Sequence, residues 1–419
     1  EVFRIMASNA KNLAELLNNE STIAVADVAD GSITTAKIAD DAVTNAKIGA
    51  NAVGTTEVAN DAVTEAKINP AGLNLGRRNL IINGAMQVAQ RGTSATGIGI
   101  TGGYNTVDRW RFADSNNPPA RFTETQSTDA PEGFGYSRKF EVTTNDGSVD
   151  DDEMQYTDHF IEAQNLQLLK YGTSNAESFT LSFYVKSSVA STMGLRFTHE
   201  DGGGNYGAVY TINATNTWER KTITVPGNTS TAINNDTGRG LRIAFGLTVG
   251  ADNAGSNSTA WGNGSLFGAH TNTFVGTANA TWQITGVQLE VGDSASDFEH
   301  RSLAEEIELC KRYYQLTTTG ENNGPIALGT SYSSSQLSVP IPLHPEMRAT
   351  PTIDVVTGSN YYRFTSNASN TNFDNLALDI ATRRSVIVMK GSLSGMTGGN
   401  SGYLYTKSTS AYLALSAEL

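Results

Sequence analysis

A chain of 419 residues with 41 glycines, 17% charged residues and a formal net charge of −13 has room for roughly two to four domains and the composition of a turn-rich, mainly β protein. It contains no basic run, which excludes a nucleic-acid backbone as partner. Cys310 is its single cysteine, so no intrachain disulfide can form, and no stretch approaches the roughly twenty apolar residues that span a bilayer.

The N-terminal stretch "EVFRIMASNAKNLAELL" lacks the basic and apolar regions of a secretion signal, so synthesis in the cytoplasm is expected, with Met6 as initiator and residues 1–5 as an upstream extension. Met6, Ala10, Leu13 and Leu17 fall at helical spacing, which predicts a short amphipathic helix within residues 1–20.

Residues 21–72 repeat. Ile23, Val28, Ile33, Ile38, Val43, Ile48, Val53, Val58, Val63 and Ile68 place Ile or Val at every fifth position. Five residues turn an α-helix by about 140°, scattering these side chains around it. Five is also odd, so along a strand they alternate between faces. The period therefore calls for a repeating supersecondary unit. Thr34, Thr44 and Thr64 stand where N-caps of short turns belong, before "TAKI", "NAKI" and "EAKI". Single turns are unstable alone, and one chain is too thin to bury ten Ile and Val. Identical chains around an axis would bury them. A disordered linker is the other reading, but it would not need this spacing.

These "AVTxAKI" decads resemble the shaft repeats of tailed-bacteriophage fibres, including the helix-turn-helix neck of trimeric head fibres. The decad "AVGTTEV" departs from the pattern at Gly54 and Glu57. The resemblance implies a homotrimer in the virion, with the N-terminal helix as a trimer starter or as the segment docking on another virion protein.

"NPAGLNLGRRNL" marks the exit from the repeats. From about residue 73 to 301, runs such as "FTLSFYVKSS", "AVYTI", "ERKTITV" and "WQITGVQLEV" alternate apolar and polar residues, which predicts a jelly-roll-like antiparallel β-sandwich. "RRNLIINGAMQVAQRGTS", "TVDRW" and "ITGVQLEVGDSASDFEHR" resemble a sandwich domain of phage fibres and appendages, similar in build to carbohydrate-binding modules. In such domains the two end motifs pair. Trp261 and Tyr206, each among loop residues, are candidate receptor contacts, Trp261 equally a loop anchor. Trp110, Trp218 and Trp282 are expected in the core.

No constellation points to catalysis, a metal or a cofactor. The five histidines lack metal-ligand spacing, and Asp150 to Glu153 lack the EF-hand pattern and read as a solvated loop, with calcium left open. In "SLAEEIELCKRYYQL" Ser302 and Glu305 form a capping box, and Leu303, Ile307, Cys310 and Tyr314 share a face, so a connecting helix is expected over 302–316. Residues 317–419 read as a small C-terminal β-sandwich. "LCKRYYQ", "LHPEMRATPTI" and the final "SAEL" resemble the distal domain of phage fibres. That resemblance places this domain at the free tip, with Tyr332, Tyr361, Tyr362, Tyr403 and Tyr405 as candidate contacts.

The fold class expected is thus mainly β: a trimeric helical/turn repeat shaft, a jelly-roll-like sandwich and a small β tip. The function expected is adhesion of a tail fibre to host-surface glycans. A head fibre that decorates the capsid and a tail spike with depolymerase activity are the alternatives. Light scattering of the whole chain should give three times its 44.5 kDa mass, and Ile48→Asp should reduce that without unfolding the β domains; a stable wild-type monomer would refute the repeat argument.

Overall fold

The computed structural model describes residues 77–419 except 263–266, 319 and 368, and in the repeat region residues 34, 38, 42, 43 and 48. It divides into two compact units, Glu1–Pro70 and Ala71–Leu419. In the first, Ile38, Val43 and Ile48 lie at bends and are 43%, 55% and 42% exposed in the single chain. Met6, Ala10, Leu13 and Leu17, the repeat positions Ile23, Val28, Ile33, Val53, Val58, Val63 and Ile68, and the expected boundary near residue 72 lie outside the described residues.

The second unit begins with eleven strands: β1 (Ser94–Ile98), β2 (Trp110–Ser115), β3 (Arg121–Ser127), β4 (Ser137–Thr144), β5 (Met154–Glu162), β6 (Phe179–Ser187), β7 (Thr192–His199), β8 (Gly204–Thr211), β9 (Glu219–Val225), β10 (Arg239–Val249) and β11 (Thr281–Val291). They form two antiparallel sheets, β1-β3-β4-β11-β6-β9 and β2-β5-β10-β7-β8. Strands β4 to β11 alternate between the sheets in the jelly-roll order, one sheet reading first-eighth-third-sixth and the other second-seventh-fourth-fifth. Strand β2 extends one sheet beside β5, and β3 with β1 extends the other beside β4. Alternation sends Phe179, Leu181, Phe183 and Val185 of β6 and Leu195 and Phe197 of β7 into the core between the sheets, with Trp110 and Trp282 wholly buried there.

The end motifs do lie side by side. The Leu80 amide donates to the Leu289 carbonyl at 2.9 Å and the Val287 amide to that of Gly84 at 3.0 Å. A Cβ at Gly84 would come within 2.1 Å of the Val287 oxygen, so glycine is required at this crossing. Glu299 accepts the Arg78 and Asn79 amides at 3.2 and 2.7 Å, and Arg301 donates to the carbonyls of Asn79 and Ile81.

Helix α1 follows, over Leu303–Lys311. Ser302 caps it, its side chain accepting the Glu305 amide at 3.3 Å. The helix is shorter than the 302–316 expected, because Tyr314 and Gln315 are already strand residues paired with Ser416 and Leu415. Nor is the expected apolar face continuous: Leu303 is 53% exposed, while Glu306 is buried and receives the Asn83 amide. Cys310 is buried against Ile82, Val88, Phe160 and Tyr313.

Ten further strands follow: β12 (Tyr314–Thr318), β13 (Pro325–Ser331), β14 (Leu337–Pro342), β15 (Thr352–Val355), β16 (Tyr362–Ser366), β17 (Ser369–Phe373), β18 (Ala377–Ala381), β19 (Ser385–Lys390), β20 (Ser401–Thr406) and β21 (Leu413–Ser416). They make a three-stranded sheet, β12-β21-β15, and a seven-stranded one, β17-β16-β20-β13-β14-β19-β18, around a separate core that includes Leu337, Val388, Leu404 and Leu415.

This second sandwich is docked on the first by buried charge. The Arg109 guanidinium is fully buried; it pairs with Glu418, donates to the Phe160 carbonyl at 2.8 Å and stacks on Tyr313 at 3.4 Å. Glu162 accepts both Arg312 Nε at 2.7 Å and Tyr313 Oη at 2.5 Å. The "SAEL" segment, through Glu418, therefore lies at the junction of the sandwiches. Glu418→Ala leaves the Arg109 charge buried without its carboxylate and should cost about 3–5 kcal/mol, read as a lower urea midpoint. Adding Arg109→Met should recover part of that loss.

Candidate functional site

Beside this junction the two sandwiches enclose a cavity of about 330 Å³, within the size range of small-ligand sites. Its walls come from five separated stretches of chain. Arg91 lies near the end of the first end motif, Tyr104 and Asn105 precede "TVDRW", Tyr314 opens β12, Asp354 lies in β15 and Tyr412 precedes β21. The Arg91 guanidinium stacks on the Tyr314 ring at 3.5 Å and lies 5.2 Å from that of Tyr104. Its Nη2 pairs with Glu418 at 3.2 Å, so the ion pair that docks the sandwiches also fixes the wall of the cavity.

Asp354 receives the Tyr314 hydroxyl at 3.1 Å and the Tyr412 hydroxyl at 2.8 Å. Both rings are thereby held in fixed orientation. Burial, then the Asp354 carboxylate, carries the Tyr412 hydroxyl up to about 12 and that of Tyr314 higher still. Burial and the neighbouring Glu418 likewise push Tyr104 far above the usual phenol range. All three stay neutral donors at physiological pH. The half-buried rings of Tyr104 and Tyr412 beside a guanidinium, a carboxylate and the amide of Asn105 suit a polyhydroxylated ring, which offers apolar C–H faces and many hydroxyls, while Tyr314 is buried beneath Arg91. Burial pushes the Asp108 carboxyl at the rear of this wall up to about 6, against the opposing pull of Arg91 and the Gln90 hydrogen bonds.

The residues singled out in the sequence fall elsewhere. Trp261 and Tyr206 do come together, their ring centroids 5.9 Å apart, in a half-buried cluster with Tyr171 and His199. The Trp261 indole donates to the Pro226 carbonyl at 2.7 Å and its ring packs on the sandwich core, the geometry of a loop anchor. Tyr362 is not a surface contact: it is wholly buried, and its hydroxyl proton is shared between the Val356 and Tyr412 carbonyls, both within hydrogen-bond reach. Tyr361 is half-buried against Gly358. Tyr332 is 74% exposed. Trp218 leaves the core expected for it and lies half-buried just before β9, donating to Asp129 at 3.3 Å beneath Lys186. In the acidic run, Glu153 turns back to accept the Asp150 amide at 3.0 Å, and burial raises its pKa.

The C-terminal sandwich carries a second surface feature. Leu328 pairs with Tyr403, Pro340 with Ile387, and Ile387 with Ile380. Since β13 and β14 are neighbours, these residues form an apolar stripe across the outer face of the seven-stranded sheet. Leu328, Tyr403 and Ile380 are each more than half exposed. A stripe this continuous is unusual on a lone domain.

No protein-family model matches the chain, and no curated protein matches it. Among solved structures it is similar in part to a protein described as CBM4, at 15% identity and a TM-score of 0.26, over 44% of this chain and 87% of that one. It is similar also to the enzymatically active domain of tailspike protein 4 of bacteriophage CBA120, at 14% identity and a TM-score of 0.28, over 51% of this chain but 21% of that one. A third is TmCBM61 in complex with β-1,4-galactotriose, at 11% identity and a TM-score of 0.27, over 51% and 99% of the two chains. Overlaps of this extent do not speak to ligand or reaction.

The tyrosines give a pH test. Their folded values lie above the unfolded value near 10, so the stability they confer is full below pH 10 and is lost as pH rises toward and beyond 12. Tyrosinate absorbance should therefore appear in two phases, the second coinciding with loss of the near-ultraviolet circular dichroism signal.

Proposed function

We propose that the chain is a structural virion fibre of a tailed bacteriophage, a homotrimer that adheres to host-surface glycans and catalyses no reaction. The five-residue period of Ile and Val carries this reading: its described members Ile38, Val43 and Ile48 are exposed in one chain and would be covered by copies of it. The stripe through Leu328 and Tyr403 supports the same assembly. Residues 1–20 attach to another virion protein, 21–72 form the shaft, 73–301 the jelly roll, 302–316 the connection and 317–419 the β tip. The chain is made in the host cytoplasm and works on the particle.

The cavity lined by Arg91, Tyr104, Tyr314, Asp354 and Tyr412 is the glycan seat in this reading. A small, partly polar cavity gives weak single-site binding, which three sites on one axis and many fibres per particle raise by avidity.

The test is a glycan array probed with the labelled whole chain and with Tyr412→Ala. Binding that falls at least about tenfold in the variant, with trimer mass and the native near-ultraviolet circular dichroism signal retained at the assay temperature, supports the seat. Undiminished binding moves the seat elsewhere, and no binding to any glycan sinks the adhesion reading. Release of reducing sugar from host polysaccharide, abolished by a single carboxylate substitution, would make the chain a depolymerase instead.

A further inference from the structure

Arg196 stands in the middle of β7, where alternation sends Leu195 and Phe197 inward and Arg196 to the outer face of the five-stranded sheet. It is nonetheless only 4% exposed. The rings of Tyr156 and Phe267 flank its guanidinium at 5.5 and 5.4 Å. The residue opposite Arg196 is Gly207, where a Cβ would lie 3.0 Å from the Phe267 carbonyl carbon, so glycine eases this close approach.

Neither ring accepts a conventional hydrogen bond, and Arg196 Nε is buried without a partner. Among the described residues no carboxylate pairs with it. The two acids that feel its charge are committed elsewhere. Asp158 accepts Arg111 Nε and Nη2 at 3.0 and 2.6 Å, and Glu200 pairs with Arg242 at 2.8 Å.

Arg239, exposed and 4.3 Å from the Phe160 ring, adds another cation to this face, and Glu162, its partner in register, is taken by Arg312 and Tyr313. Burial, and then the Arg242 charge, lowers the pKa of Arg196 to about 10, so it remains a cation at neutral pH. A buried cation without a counter-charge is costly, and two ring faces offset only part of that cost.

Register sets a second cation beside it. Ala244 faces Arg196 across β10, and Arg242 faces Thr198, so the two arginines are diagonal neighbours on one face, flanked by Ala244 and Thr198. We propose that Arg196, beside the Arg242–Glu200 ion pair, receives an anionic group carried by the host-surface saccharide: the carboxylate of a uronic acid, or a phosphate or sulfate ester. A guanidinium fork matches the oxygens of any of the three. The saccharide part rests on the adhesion reading above; the anion part does not.

The test begins with inorganic phosphate against chloride at matched ionic strength, using the whole chain and Arg196→Met. Without phosphate, the variant should melt no lower than the wild type, because it loses an unpaired buried charge; this also establishes that it folds. At phosphate about tenfold above Kd, the wild type should gain roughly 2 °C over the variant, and Arg196→Lys should keep part of the gain. Equal shifts in wild type and Arg196→Met overturn the site.

Glycan arms then separate the sources: a uronic-acid oligosaccharide, a sulfated one, a phosphorylated one and their neutral parent. Preference for one acidic arm that disappears in Arg196→Met supports the proposal. Equal binding of acidic and neutral arms overturns it while sparing adhesion. A phosphate shift with no glycan bound sinks adhesion and leaves the anion site standing.

Discussion

The buried pairing of Arg109 with Glu418 is the interaction on which the second unit depends. Its guanidinium is out of water, its Nε has no partner, and its backbone is left-handed with φ 71°, a conformation uncommon outside glycine. Such strain persists only where neighbours over-determine it. Here they do: the preceding Asp108 amide donates to the Val88 carbonyl at 3.0 Å, and the following Trp110 indole donates to that of Asn83 at 3.1 Å. "TVDRW" is thus a knot that aims one cation at the other sandwich. Because Glu418 also holds Arg91, the same pair sets the cavity wall, so the cavity exists before any ligand arrives.

The jelly roll explains why the knot sits where it does. Its last strand, β11, lies between β4 and β6, and the segment entering the domain crosses it at Leu80 and Gly84. Entry and exit are thereby clipped together, and Asn83 continues the clip to α1 through Glu306. The second sandwich begins two residues after the helix's C-cap, Arg312, which is too short a connection to act as a linker. Its return strand β21 then brings Glu418 back to Arg109. Two separate apolar cores are made into one body by buried charge together with a small apolar cluster, Ile82, Val88, Phe160, Cys310, Tyr313 and Leu419, at the junction.

Much of this was legible in the sequence, and the rest failed for physical reasons. Strand alternation gave the sandwich, and the end motifs announced their pairing, because period-two burial and a glycine at a backbone crossing are local signals. The cavity was not legible: Tyr104, Tyr314, Asp354 and Tyr412 carry no local signature, and only the return of β21 unites them. Tyr362 looked like a surface ring because tip tyrosines read alike, yet its hydroxyl finds two carbonyls and the ring is buried. Trp218 looked like core from its strand-like context, yet it precedes β9. Arg196 did carry a signal, a cation at the centre of the alternating run "GLRFTH", but an outward arginine reads as solvated until Phe267 is seen to cover it.

An anion site on so acidic a chain raises a question of range. Charges further apart than about 8 Å are largely screened at physiological ionic strength, so the net −13 slows the approach of an anionic polymer more than it weakens contact. At contact the effective dielectric is low, and a unit pair at 4 Å is worth several times its value in bulk water. Local geometry therefore outweighs global charge. On the proposal above, the chain repels polyanions it cannot seat and holds those whose charged group fits against Arg196, which would make the overall acidity a source of selectivity instead of an obstacle to binding.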